Sequence, residues 1–371
     1  MIYLDYAATT PVRKEVLECM LPAFTDFFSN ASGSYASARQ ARRAMDAARA
    51  QIAAAIGAKR QEIHFTSGGS ESDNWALFGA VRASGKKRVV TTQIEHHAVL
   101  EACRALEAEG CEVVYAPVDQ SGTVSPQEIR RLMNCDTALV SVMLANNEVG
   151  TIQPIREIAE IAHEYGALMH TDAVQAVGHI PVDVQGLGID LLSMSAHKFY
   201  GPKGVGALYV RSGVRIGNLI YGGAQEKGLR AGTENIPGII GMGKAIEMAV
   251  QKMEISSVRI RTLRDALENE IVNTLPGVRV NGNKNNRLPG HLHISIPNAD
   301  ANLLLMRLDM EGIAASSASA CAAGAMERSH VIRAMGLDET DQADLRLTLG
   351  EENTKEEIEK TVSALKRILL K

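Results

Sequence analysis

The chain reads as an α/β protein, with a large domain built on a mainly parallel sheet flanked by helices and a smaller α+β domain after it. Three observations predict this. Between residues 63 and 210, short β-rich runs alternate with stretches of helical period, the pattern of parallel strands joined by crossover helices. After about Ile255 the alternation gives way to a long helical stretch, a hairpin signal at Asn281-Gly282 and the run His291-Leu292-His293-Ile294-Ser295-Ile296. At 371 residues the chain also exceeds what one hydrophobic core usually serves. We expect a large domain of residues 12–255 and a small domain of 1–11 with 256–371.

Strands are predicted at 63–66, 89–92, 112–116, 138–143, 168–171, 191–195 and 205–210, with helices between most of them. The C-terminal stretch 354–370 places Ile358, Val362, Leu365 and Leu369 on one helical face. No internal repeat or low-complexity linker interrupts the chain.

Composition sets limits on function. Hydrophobic residues make up 46% and charged residues 22%, which is ordinary for a globular chain. A net charge of -4 with scattered Lys and Arg offers no basic field, so no direct nucleic-acid partner is expected. The opening Met1-Ile2-Tyr3-Leu4-Asp5 lacks a charged region followed by an apolar one, and no apolar run reaches spanning length. We expect a cytoplasmic protein with no membrane partner. The five cysteines form no CxxC pair, which argues against a disulfide framework or a metal site. Cys103 and Cys111 flank a helix end, Cys19 and Cys135 sit among apolar neighbours, and all four read as inert thiols.

Four segments carry chemistry. The run Ser193-Met194-Ser195-Ala196-His197-Lys198-Phe199-Tyr200-Gly201-Pro202-Lys203-Gly204 takes a strand into a lysine and then a Gly/Pro turn. A desolvated amine there can form a Schiff base, whereas a plain surface lysine is the alternative. Phe65-Thr66-Ser67-Gly68-Gly69-Ser70-Glu71-Ser72-Asp73-Asn74 puts small residues between a strand and a helix start. That arrangement suits a phosphate and equally an ordinary capped turn. Leu168-Met169-His170-Thr171-Asp172-Ala173-Val174-Gln175 ends an apolar strand in an aspartate. A buried carboxylate needs a partner, which the pyridinium nitrogen of pyridoxal phosphate would supply; a helix cap is the alternative. His96, after another strand, either stacks on such a ring or caps a helix. Finally, Ala314-Ala315-Ser316-Ser317-Ala318-Ser319-Ala320-Cys321-Ala322-Ala323-Gly324 presents one thiol on a run of small residues. Cys321 is a candidate nucleophile that a loop can carry between two sites, or an incidental cysteine in an Ala-rich turn.

Taken together these segments resemble the cysteine desulfurases of the NifS/IscS type, within the class V group of fold-type I pyridoxal-phosphate enzymes. The resemblance spans nearly the whole chain: Tyr3-Leu4-Asp5-Tyr6-Ala7-Ala8-Thr9-Thr10-Pro11, the Thr66–Asn74 motif, Asn146-Asn147-Glu148-Val149-Gly150, the lysine motif, Arg230-Ala231-Gly232-Thr233-Glu234-Asn235 and Ser319-Ala320-Cys321. Several motifs in the right order are far more specific than one. The resemblance departs at Ala318, where the family usually has Gly, at Asn30-Ala31-Ser32-Gly33-Ser34-Tyr35, and in a tail shorter than that of the housekeeping iron-sulfur members.

The resemblance implies a fold-type I architecture. It makes Lys198 the Schiff-base lysine, pairs Asp172 with the ring nitrogen, sets Gln175 on the ring hydroxyl and stacks His96 on the ring, with His96 also an acid/base helper. Gly69, Ser70, Ser195 and His197 would hold the phosphate, joined by Thr233 from the second subunit of a homodimer. Asn147 and Arg346 would hold the carboxylate of an L-cysteine substrate. Cys321 would take its sulfur as a persulfide and pass it to an acceptor protein, an iron-sulfur scaffold or a tRNA thiouridylase, leaving L-alanine. Other class V activities, such as an aminotransferase or a selenocysteine lyase, share the same cradle, and a non-catalytic scaffold subunit is a further alternative.

Overall fold

The computed structural model describes residues 1–317, 328–337 and 342–370. Its central sheet has the spatial order Ile63–Thr66, Gly206–Val210, Leu191–Ser195, Leu168–Asp172, Thr137–Ser141, Arg88–Thr92 and Glu112–Ala116. The last five of these run parallel. Gly206–Val210 instead lies antiparallel to both of its neighbours. Only residues 196–205 separate it from the preceding strand, and a parallel return needs a crossover of about a dozen residues or more.

Successive side chains on each strand point to opposite faces, as a period of two requires. Val89, Leu139, Leu191 and Leu208 join the helices Gly69–Ser84 and His97–Ala108 in one core. Val90, Val140, Leu192 and Tyr209 join the helices Ala36–Ala55 and Ile155–Glu164 in the other. The helix Ile236–Thr274 is 39 residues long. Its Ile239, Met242 and Ala245 pack in that second core, while Ile260, Leu267 and Ile271 enter a separate one. The division into 12–255 and 1–11 with 256–371 is kept as a proposal; it would fall inside this helix.

The separate core is organised by an antiparallel sheet in the order Gln342–Thr348, His291–Pro297, Arg279–Asn281. Leu292, Ile294, Leu345 and Leu347 face that core. The alternate residues pair across the sheet as His291 with Thr348, His293 with Arg346 and Ser295 with Asp344. All of these are buried too. The alternation thus sorts two buried faces, one apolar and one polar, and the polar face carries Arg346. The C-terminal helix Lys355–Leu369 starts at a Thr354 capping box and buries Ile358, Val362 and Leu365. Strand Ile2–Tyr3 pairs with Ile313–Ala314, and Leu4 joins the same core. The chain then crosses to the large sheet, where Thr10 N donates to His197 O at 3.0 Å.

Among the described residues no helix is long and apolar enough to cross a membrane. Cys103 is buried inside a helix, with its thiol pushed up to about 12 by burial. Cys135, expected among apolar neighbours, is exposed instead.

Candidate active site

The strand Leu191–Ser195 is buried throughout and ends in the short turn Ala196–Lys198. Tyr200 then takes a left-handed φ of 66°, a conformation that costs energy in a bulky residue and is held here by the packing around it. The Tyr200 amide donates to Thr10 Oγ1 at 2.8 Å, and Arg13 lies over its ring. This turn sends Lys198 toward the N-terminal segment, where its Nζ donates to Ala7 O at 2.5 Å and Ala8 O at 2.9 Å. His179 Nε2 donates to Lys198 O at 2.8 Å and fixes the turn from behind. His197 meets Thr9 Oγ1 at 3.1 Å, and burial, with Lys198 and Lys203 nearby, lowers it to about 4. It is therefore neutral at ordinary pH.

Next to this turn the strand Leu168–Asp172 delivers Asp172 at its carboxyl end, where open α/β sheets bind ligands. Asp172 is buried, and its Oδ1 accepts from Val174 N at 2.9 Å. Burial raises its pKa, with His96 and Lys198 opposing. Gln175 Nε2 donates to the same Ala7 carbonyl as Lys198, at 2.9 Å. The helix Gly69–Ser84 begins here with no side-chain cap on its first turn, leaving backbone N–H groups aimed outward. A Cβ at Gly69 would come within 2.7 Å of Val174 Cγ2, so a larger residue would have to displace Val174. His96 caps the helix His97–Ala108, its Nδ1 accepting from Ala98 N at 3.1 Å, and burial lowers its pKa. It caps the helix and faces the cavity at once, with the neutral ring's proton on Nε2.

The third wall comes from the small sheet. Arg346 donates from Nη2 to Asp5 Oδ1 at 2.7 Å and from Nη1 to Asn147 O at 3.1 Å. Its Nε is buried with no hydrogen-bond partner among the described residues. Asn146 holds the turn that presents Asn147, with Oδ1 accepting from Glu148 N at 2.9 Å and Val149 N at 3.0 Å. Glu148 is buried and raised to about 7 by that burial, against Ser329 and Arg346; the Ser329 hydroxyl donates to its carboxyl group.

Gly69, Ser70, His96, Asn147, Asp172, Gln175, Ser195, His197, Lys198 and Arg346 all line one cavity of about 300 Å³. Thr233 does not; it lines a separate cleft of about 110 Å³ with Ser67, Gly204 and Arg230. Cys321 lies outside the described residues. Sequence reasoning missed Ala7 and Ala8, whose carbonyls hold Lys198, and Asp73 on the cavity wall. It also missed Glu95, buried behind that wall and raised to about 8 by burial, where Thr92 Oγ1 and Met143 N donate to it. The N-terminal motif was a signal for the first two. The two acids read as ordinary polar residues.

The aminotransferase class-V family model matches residues 2–361. A relative named cysteine desulfurase IscS, from Dictyoglomus turgidum, is 50% identical over 373 residues, covering 100% of this chain and 95% of that protein. Among solved structures, one titled NifS-like protein superposes with a TM-score of 0.94 at 38% identity, covering 100% of this chain and 99% of the other. Another, titled SspA in complex with cysteine, gives a TM-score of 0.83 at 35% identity, covering 95% of this chain and 100% of the other.

Proposed function

From the premise that this chain belongs to the aminotransferase class-V family, we propose that it is a pyridoxal-phosphate-dependent cysteine desulfurase. It takes sulfur from L-cysteine as a persulfide on Cys321 and releases L-alanine. The observation that carries this reading is the meeting of a strand-end lysine, a buried aspartate and a buried arginine around one cavity.

The residues suit pyridoxal phosphate. The uncapped first turn at Gly69 and Ser70 matches a phosphate, with Ser195 and His197 beside it. Asp172 matches a ring nitrogen, Gln175 a ring hydroxyl, His96 a ring face and Lys198 an aldehyde carbon. Thr233 lines a cleft other than its own chain's cavity, in keeping with service to the site of a second copy in a homodimer. When bound, the cofactor supplies an electron sink that loosens the substrate's Cα proton and Cβ–S bond.

The chain's own residues do the rest. Arg346 and Asn147 bind the substrate carboxylate, the guanidinium through its remaining donors. Lys198 takes the proton from Cα. Neutral His96, anchored through Nδ1, has Nε2 for holding or giving a proton. The Cys321 thiolate attacks the substrate sulfur. The S–S bond forms as Cβ–S breaks, the electron pair of that bond stays with Cβ, and a proton completes the methyl group. One cysteine and one thiol become one alanine and one persulfide.

The flanks of the Cys321 segment support this assignment. Ser316 N and O bond to the Arg346 backbone at 3.3 and 2.7 Å, and Ser329 bonds to Glu148 beside Asn147. Cys321 follows Ser316 by 5 residues, a chain length that spans at most ~17 Å. The persulfide then passes to a cysteine of an acceptor protein in the cytoplasm, an iron-sulfur scaffold or a tRNA-thiolating enzyme.

The test is turnover of L-cysteine with a reductant, following alanine, sulfide and the cofactor's visible absorbance for wild type and Cys321→Ala. Wild type should release both products, while the variant keeps the cofactor and stops turning over. Equal alanine and sulfide from the two proteins would remove Cys321 from the reaction.

A further inference from the structure

Asp73 lies in the helix Gly69–Ser84, 1% exposed, and lines the same cavity as Asp172. Its Oδ1 is buried and has no hydrogen-bond partner among the described residues. The nearest basic side chain is His170, with Nε2 3.7 Å from that oxygen. His170 is itself wholly buried, its Nδ1 2.8 Å from Ser141 Oγ and its Nε2 3.1 Å from Ser193 Oγ. The two serines satisfy both ring nitrogens of a neutral His170: Ser141 donates to Nδ1, and Nε2 donates to Ser193. Burial lowers His170 to about 3, consistent with that neutral ring.

Among the described residues Asp73 therefore has no cationic partner. Asp172, which lines the same cavity from the strand Leu168–Asp172, and Glu95, from the turn before the helix His97–Ala108, both work against a negative charge at Asp73. A buried carboxylate with no cation and an oxygen lacking a hydrogen-bond donor, near other acids, is costly, and such a group takes up a proton instead.

We propose that Asp73 is a second, proton-carrying carboxyl of the cofactor site, which leaves a single negative charge at the ring-nitrogen end and confines it to Asp172. This rests on the reading that the cavity takes pyridoxal phosphate. Asp73 is a positioning residue: by staying neutral it leaves Asp172 as the one charge that a pyridinium N–H would meet. Burial and the neighbouring acids raise the Asp73 pKa well above the ordinary value, in the direction this assignment requires.

The experiment compares Asp73→Asn with Asp172→Asn in the full-length protein. Asn is the permanently neutral likeness of a protonated Asp, so Asp73→Asn should lose much less affinity for pyridoxal 5′-phosphate than Asp172→Asn. Asp172→Asn should bind at least ~10-fold more weakly, because it loses a charge-assisted hydrogen bond. Equal losses in the two variants, or the greater loss in Asp73→Asn, would overturn the assignment. The apoprotein gives a reading free of the cofactor. Asp73→Asn should gain stability over wild type in urea at about pH 8, and the gain should shrink toward about pH 4, since only wild type must keep a proton against rising pH. A variant less stable than wild type at the higher pH would mean that Asp73 is ionised. Failure of wild type to bind pyridoxal phosphate would sink the functional reading, and this apoprotein result would still stand or fall by itself.

Discussion

Replacing Arg346 tests how the substrate is held. A guanidinium has five N–H donors; in the structure one goes to Asn147 O and one to Asp5 Oδ1. Arg346 also lines the cavity, and the donors not used by these two contacts are the ones proposed for a substrate carboxylate. Two hydrogen bonds to a charged group contribute at least ~3 kcal/mol together, which corresponds to about 100-fold in affinity. Arg346→Ala should therefore raise KM for L-cysteine by about 100-fold, and Arg346→Lys, which keeps the charge but loses the fork, by about 10-fold. The contact exists before and during the reaction, so kcat should fall much less than kcat/KM. Initial rates of alanine formation measure this, with the cofactor's absorbance as the control for an intact site. A KM for Arg346→Ala within about threefold of wild type would refute the assignment of the carboxylate to this arginine.

Further outcomes follow from the buried groups. Glu95 is held near 8 against an ordinary 4.5, so the folded state keeps a proton that the unfolded chain has lost between those values. Stability from this group is full at low pH and is lost as pH rises through about 8; Glu95→Gln should remove ~3 kcal/mol of that penalty at neutral pH, read as a flatter dependence of urea midpoint on pH. A steeper dependence in the variant would contradict it. A Cβ on Gly206 would sit 2.5 Å from Met194 O and 2.7 Å from Gly68 Cα, both backbone atoms that cannot turn aside. Gly206→Ala should cost ~1–3 kcal/mol of stability and weaken cofactor binding through the Gly68–Gly69 turn; unchanged unfolding would disprove the close approach. Iodoacetamide on the native protein should modify exposed Cys135 and spare buried Cys103, as peptide mass mapping would show, and modification of Cys103 before unfolding would be the contrary result.

Much of this was legible in the sequence because the site sits where local patterns are strongest. Lys198, Asp172 and His96 each follow an apolar strand, and strand runs and turn formers are read from neighbours in the chain. All seven central strands fall where the β-rich runs lie. The direction of Gly206–Val210 is legible only in the short connection of residues 196–205, not in the composition of the strand. Arg346 reaches the cavity only through its register with His293, and sequence could name it only through the family's pattern. The buried acids were the hardest. Glu148 meets Ser329 from 181 residues away, and Asp73 sits in a polar first turn that reads as a solvent face until the sheet covers it. Thr233 gives no local sign of where it acts, since its own chain turns it toward a different cleft.

The most direct test of the central claim is where the sulfur goes. Wild-type protein loaded with pyridoxal phosphate would be given a single equivalent of L-cysteine carrying isotopically labelled sulfur, then quenched with an alkylating agent and digested. The account predicts one labelled persulfide, on the peptide containing Cys321, in an amount matching the alanine released. Alanine formed with the label only in free sulfide, or bound to Cys19, Cys103, Cys111 or Cys135, would contradict it.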